Sequence, residues 1–179
     1  MQIENTQIPG CFVISLRKQN DSRGHFVKWF SRHAFDEAGL VNDWAEVYGS
    51  VSQRGVIRGL HFQSPPEGHA KLVYCLSGHA LDVVLDLRQR SVSFGKHIKI
   101  ELSGASPLAV YVPLGCAHGF LAQADQTLMF YQVSSGYAPE FENGIRWDSA
   151  GIDWPTRAPI ISSRDHELPH LANFVSPFV

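Results

Sequence analysis

Short runs of β-branched and aromatic residues recur between glycine, proline and polar turn signals along most of the chain. This is the pattern of a β-sandwich or barrel rather than of alternating βαβ units. Strands are predicted at Cys11–Leu16, Lys71–Leu76, Ala80–Leu87, His97–Leu102, Ala109–Pro113 and Thr127–Gln132, with turns at Ser77-Gly78-His79 and Pro113-Leu114-Gly115. One short peripheral helix is predicted at Ser31–Gly39, with Ser31 as its cap and Gly39 as its stop. From Ser134 onward Gly, Pro and Asp punctuate the chain, which predicts loops and short helical turns laid over a β-core. Within Ala80–Leu87, Asp82 and Asp86 alternate with Leu81, Val83, Leu85 and Leu87, so one face carries two carboxylates. The ordinary reading is a half-buried strand with its acidic face in water. The alternative is a barrel interior in which Asp82 holds Lys71 or His118 by a charge-assisted bond.

At 179 residues, 44% of them hydrophobic, the chain is long enough for one substantial core, and residues 1–179 read as a single domain. A Lys and Arg total of 15 against 17 Asp and Glu gives a formal charge of −2. This balance excludes a surface steered as a whole toward nucleic acid or an anionic membrane, so any anion site must be local. Cys11, Cys75 and Cys116 are odd in number and widely spaced, without a Cys-x-x-Cys pair. They argue against a disulfide framework or a structural zinc site. Met1–Thr6 has no basic region followed by an apolar run, and no apolar run is long enough to span a bilayer. A reduced, soluble, cytoplasmic protein is predicted.

What departs from a plain β-core is the segment Arg58-Gly59-Leu60-His61-Phe62-Gln63, followed by Lys71 and much later by His118-Gly119-Phe120. Histidines, an arginine and a lysine among strand-forming residues need a reason, because buried charge without a partner is costly. Either these groups satisfy one another as packing partners, or they line a cavity that holds an anion and moves protons.

The strings Arg54-Gly55-Val56-Ile57-Arg58-Gly59-Leu60-His61-Phe62-Gln63, Ala70-Lys71-Leu72-Val73, Val112-Pro113-Leu114-Gly115-Cys116-Ala117-His118-Gly119-Phe120 and Gly144-Ile145-Arg146-Trp147-Asp148 occur in this order. Asp21-Ser22-Arg23-Gly24-His25-Phe26, Ile152-Asp153-Trp154-Pro155 and Ile161-Ser162-Ser163-Arg164-Asp165 flank them. Together they resemble the dTDP-4-dehydrorhamnose 3,5-epimerase family from Ile14 to Pro169. The resemblance implies a mainly β, cupin-type jelly-roll sandwich or barrel with short peripheral helices, working as a homodimer. It also implies an epimerase without cofactor or metal that inverts carbon 3, carbon 5 or both of a nucleotide-linked 4-keto-6-deoxyhexose in deoxysugar and polysaccharide biosynthesis. In such a substrate the ketone acidifies the hydrogens on both flanking carbons. Inversion then needs a base, support for an enolate and an acid on the opposite face.

By resemblance, His61 is the base and Asp165 the carboxylate that fixes its tautomer, a pairing that requires the tail to fold back over the barrel. Lys71 matches the lysine that stabilises the enolate oxygen, and Tyr131 the acid. His118, with Asp82, takes a supporting place in the pocket. Arg23 and Arg58 match arginines that grip the diphosphate, a task suited to a planar guanidinium. Phe26, Glu46, Tyr48, Gln63, Tyr137 and Glu142 complete the expected substrate-binding set. Taken singly, each has a plainer reading: a core histidine, a snorkelling lysine, a tied-off core tyrosine, a surface ion pair.

The chain also departs from the family. Glu46 and Tyr48 stand where Gln and Asn are usual, Lys28 where Glu is usual, Gln132 where a lysine follows the acid tyrosine, and Gly136 where a tyrosine is often found. These departures imply retained proton transfer and altered recognition, with a single-site 3- or 5-epimerase on another nucleotide sugar, for example a CDP-linked one whose exocyclic amine Glu46 would accept from, as the alternative to a dTDP-linked substrate. Two other classes compete. A metal-dependent cupin needs a His and carboxylate cluster, yet this chain reads His61-Phe62-Gln63 rather than His-x-His, with His69 in a Pro/Gly loop. A non-catalytic sugar-binding barrel would keep the pocket without the chemistry.

Overall fold

The computed structural model describes residues 1–179. The strands are β1 (Gln2–Asn5), β2 (Phe12–Ser15), β3 (Lys18–Asp21), β4 (Gly24–Val27), β5 (Glu46–Ser52), β6 (Ile57–Gln63), β7 (Lys71–Ser77), β8 (His79–Asp86), β9 (His97–Ser103), β10 (Leu108–Val112), β11 (Cys116–Ala122), β12 (Thr127–Val133) and β13 (Glu142–Gly144). Two short helices, α1 (Arg32–Glu37) and α2 (Ser163–Glu167), lie outside them. A six-stranded sheet in the order β1-β2-β10-β7-β12-β5 faces a five-stranded sheet in the order β13-β6-β11-β8-β9, and β3 pairs with β4 as a separate hairpin. From β5 onward the chain passes repeatedly between the two sheets, the connectivity of a cupin-type jelly roll. No helix is long and apolar enough to cross a membrane.

Three apolar clusters explain why the central strands are buried on both faces. Between the sheets, Val73, Cys75, Val84, Val110, Val112, Phe120, Met129 and Tyr131 interdigitate. Outside the six-stranded sheet, Leu72, Tyr74 and Tyr111 meet Phe35 of α1, with Trp29, Phe30 and Trp44 around it. Outside the five-stranded sheet, Leu81, Val83, Leu85 and Leu87 of β8 lie under Ile152, Trp154 and Phe178 of the tail. Burying each such side chain contributes about 1.5–3 kcal/mol, which is what fastens the tail to the barrel.

This double cover corrects the ordinary reading of β8. Asp82 and Asp86 are not in water but fully buried. They share the inward parity of Ala80 and Val84, while the leucines that would have made the core face are capped by the tail. Asp86 is satisfied by Arg88, Ser91 and Ser93 at 2.5–2.9 Å, whereas Asp82 pairs with His118 through Oδ1 and leaves its buried Oδ2 without a partner.

Predicted strands fall within a residue or two of β2, β7, β8, β9, β10 and β12. Ser31 occupies the N-cap of α1 but its hydroxyl makes no capping bond, a correction to its predicted role. Gly39 does end the turn, in the left-handed region at φ +66. The polar hairpin β3–β4, the first strand β1, and β5 carry no apolar period and escape the pattern. The cysteines are all free and buried.

Glycine is demanded where β6 and β11 cross. A Cβ on Gly59, which sits at φ +132, would lie 2.6 Å from Gly119 Cα, and one on Gly119 would lie 2.7 Å from the Arg58 carbonyl. The register shifts at this contact, and it sets His61 directly opposite His118.

Candidate active site

Between the sheets, at the end where β5, β6, β7 and β12 meet α2 and the loop before β13, lies a cavity of about 920 Å³. His61, Lys71, His118, Tyr131 and Asp165 line it together with Glu46, Tyr48, Arg58, Gln63, Tyr137 and Glu142. The tail does fold back. His61 Nε2 lies 2.7 Å from Asp165 Oδ1, and the other carboxylate oxygen accepts from the Gly59 amide at 3.2 Å. Ser162 caps α2 by accepting from the Asp165 amide at 3.1 Å, which fixes the carboxylate at the third helical position and aims it at β6.

Burial is the largest influence on Asp165 and raises its pKa. The bond to His61, the Gly59 amide and Arg164 outweigh it and hold the carboxyl below its usual range. An ionised Asp165 keeps a proton on Nε2, which leaves His61 Nδ1 as the basic nitrogen. Burial also lowers His61, against the opposing pull of Asp165 and with Lys71 and Arg164 pushing the same way, so the ring is neutral at neutral pH.

Lys71 is 6% exposed. Its ammonium donates to the His61 carbonyl at 3.0 Å, not to Asp82. Burial lowers it to about 8, with Glu142 and Asp82 opposing, so it stays predominantly charged at neutral pH. Tyr131 is buried, and burial drives its phenol well above its ordinary value, so it holds its proton. Its ring stacks on Tyr48 at 5.0 Å between centroids and meets the edge of His118 at 5.9 Å. His118 Nε2 lies 2.7 Å from Asp82 Oδ1, so a second His–Asp pair stands beside the first. Burial, with Glu46 and Glu142, also raises Tyr48, to about 12.

Several predicted residues sit differently from expectation. Arg23 and Phe26 lie on the β3–β4 hairpin and do not line the cavity. Arg23 is paired with Asp21 at 2.6 Å, and Phe26 is 60% exposed beside a smaller groove that also includes Lys28. Arg58 is exposed at the cavity rim, although its neighbours in sequence are buried. It has no carboxylate partner, and instead donates to Ser52 Oγ at 3.0 Å and the Val51 carbonyl at 3.3 Å. Gln63 is placed in the cavity wall with its amide committed to the protein. It donates to the Glu67 and Gly136 carbonyls and accepts from the Ala138 amide at 2.7 Å, tying β6 to the loop after β12. Gln132 points to the opposite face from Tyr131 and is not in the cavity, so that departure from the family lies outside the site.

The structure brings to the cavity Arg164 and His69, which had no predicted place in the site, and supplies partners for Glu142, Tyr137 and Glu46. Arg164 stands 3.2 Å from His61 Nε2 and 2.8 Å from Glu142, whose second oxygen accepts from the Tyr137 hydroxyl at 2.7 Å. Glu46 Oε1 accepts from the Tyr137 amide at 3.0 Å. His69, whose Nδ1 faces Gln63 and Ser135, is lowered to about 3 by burial and by Lys71. Its place beside Lys71 in sequence was the available signal. No group of three or more His, Cys, Asp or Glu side chains is arranged to hold a metal ion.

Residues 5–173 match the family model of dTDP-4-dehydrorhamnose 3,5-epimerase. The dTDP-4-dehydrorhamnose 3,5-epimerase of Shigella flexneri is 34% identical over 168 residues, covering 92% of this chain and 93% of that protein. The dTDP-4-dehydrorhamnose 3-epimerase of Streptomyces niveus is 38% identical over 175 residues, covering 96% and 84%. The crystal structure of the 3,5-epimerase from Legionella pneumophila Philadelphia 1 in complex with dTDP-4-keto-L-rhamnose superposes with a TM-score of 0.93 at 32% identity, covering 97% of this chain and 94% of that one. Since sequence and backbone agree over more than nine-tenths of its length, the chain belongs to the dTDP-4-dehydrorhamnose 3,5-epimerase family.

Proposed function

We propose that this protein epimerises a dTDP-linked 4-keto-6-deoxyhexose at carbon 3, carbon 5 or both, in deoxysugar biosynthesis. The observation that supports it most directly is the convergence of the His61–Asp165 pair, the Lys71 ammonium and the protonated Tyr131 phenol on one cavity. His61 Nδ1 removes the hydrogen beside the ketone, and the imidazolium that forms is paired with Asp165. The electron pair moves onto the ketone oxygen, where Lys71 supplies positive charge in a site of low dielectric. Tyr131 delivers a proton to the opposite face of the enolate, which completes inversion. Arg58, with no carboxylate partner at the rim, takes the diphosphate.

The assay is hydrogen exchange in deuterated water with dTDP-4-keto-6-deoxyglucose. His61→Ala is expected to abolish deuterium uptake at both carbons beside the ketone while still binding dTDP; retained turnover overturns the base assignment. Scoring the two carbons separately distinguishes a 3,5-epimerase from a 3-epimerase such as the Streptomyces niveus relative. Wild-type protein that binds dTDP without any exchange would favour the non-catalytic barrel.

The reading includes a homodimer, and a reducing, cytoplasmic setting with which the three free cysteines agree. The cavity takes residues from Glu46 to Asp165, so the chain serves as one working domain. Arg23 and Phe26 stand away from their own cavity, and a second copy is the arrangement through which they would reach one. Mixed dimers of an Arg23→Ala and a His61→Ala subunit would then regain activity in one of their two sites.

A further inference from the structure

His61 Nε2 has two neighbours that make opposite demands of it. The Asp165 carboxylate, 2.7 Å away, accepts a hydrogen bond and favours a proton on that nitrogen. The Arg164 guanidinium, 3.2 Å away, offers only N–H groups and disfavours one. Arg164 is held in place. Its Nη1 pairs with Glu142 Oε1 at 2.8 Å and its Nε lies 3.6 Å from Asp165 Oδ1. Glu142 is in turn held by the Tyr137 hydroxyl. A cation is therefore pinned between two carboxylates, against the ring that must gain and lose a proton.

We propose that Arg164, pinned by Glu142, is a positioning residue that offsets the pull of Asp165 and keeps the His61 ring neutral between turnovers. The inference rests on His61 being the base. Asp165 strengthens the hold of the ring on a proton, and Arg164, with burial and Lys71, works against that hold. The charged and titratable groups around the ring are Asp165 and Arg164 from α2, Lys71 from β7, His118 opposite on β11 and Glu142 on β13, with Tyr131 of β12 across the cavity. Of these, Lys71 and Arg164 act in one direction and Asp165 in the other, on top of burial.

Two readouts test it: the acid limb of kcat/KM for solvent exchange, which reports the free enzyme, and an NMR titration of the His61 ring, assigned by its loss in His61→Ala. Arg164→Gln removes the cation, so both titrations move to higher pH and the ratio of kcat/KM at pH 6 to that at pH 8 falls about threefold. Glu142→Gln removes the counter-charge and moves both to lower pH. Arg164→Lys keeps the charge and brings both back toward the wild-type position. A merely structural latch would lower the rate in every variant without moving either titration, and that result overturns the inference. Should Arg164→Gln fail to fold, an unmoved His61 titration in Glu142→Gln overturns it equally. Failure of the underlying reading looks different: His61→Ala would then go on exchanging hydrogen, whatever Arg164 does.

Discussion

Replacing Lys71 by methionine is expected to stabilise the protein while disabling it. The lysine is 6% exposed, and burial brings its ammonium from 10.5 to about 8. The folded chain therefore binds this proton less tightly than the unfolded chain, which opposes folding at neutral pH by about 3 kcal/mol. Methionine preserves an unbranched apolar stem of similar length and removes the charge. It also removes the 3.0 Å bond to the His61 carbonyl, a loss of about 1 kcal/mol, which leaves a net gain of about 2 kcal/mol at pH 7.

The pH dependence follows from the depressed folded value. As pH climbs from about 8 toward 10.5, the folded protein releases its proton before the unfolded chain does, and wild-type stability rises. The advantage of methionine is thus full below the folded value and shrinks above it. Urea unfolding of both proteins at pH 7 and near pH 9.5, followed by tryptophan fluorescence, measures the difference. The deuterium-exchange assay should show a loss of about a hundredfold or more, since the enolate oxygen loses its cation. A methionine variant less stable than wild type at pH 7, or an advantage that does not shrink at high pH, refutes the reasoning.

Gly59→Ala should lower stability by about 3 kcal/mol, because the new Cβ would meet Gly119 Cα at 2.6 Å from a backbone at φ +132. A urea midpoint close to wild type would mean that β6 and β11 do not cross as tightly as described. Gln63→Ala should cost about 2 kcal/mol by leaving the Ala138 amide and the Gly136 carbonyl without their partner, while the Glu67 carbonyl keeps the Ser135 hydroxyl at 2.9 Å. Its signature is faster amide exchange at Ala138, and unchanged protection there would return Gln63 to the substrate.

The sequence made the strands plain where both faces are apolar, as in β7, β10 and β12. It concealed β5, whose inward positions are Glu46, Tyr48 and Ser50 because they line a cavity rather than a core. Local pattern thus fails where the site is built. The face carrying Asp82 and Asp86 was left between water and the barrel interior for a different reason, and the interior reading with Asp82 on His118 is the one that holds. Alternation shows that a strand has two unlike faces, but not that a distant segment will cover the apolar one. His61, Lys71, Tyr131 and Asp165 were legible through the family resemblance, whereas the part of Arg164 was not, although it stands in the same string as Asp165. Its meaning lies in Glu142, a partner supplied only by folding. Arg23 and Phe26 show the converse, since a motif names residues without placing them at the cavity.

The tail that covers the five-stranded sheet also carries Asp165, and its apolar anchors Ile152 and Trp154 precede that residue while Phe178 follows it. A ribosome delivers His61 about a hundred residues before its carboxylate, so a nascent barrel can hold the ring, the lysine and the tyrosine and still lack a tuned base. The orienting carboxylate arrives on the strap that closes the last apolar face. On the proposed assignment of His61 and Asp165, proton transfer begins only when that face is sealed, and activity becomes a readout of finished packing.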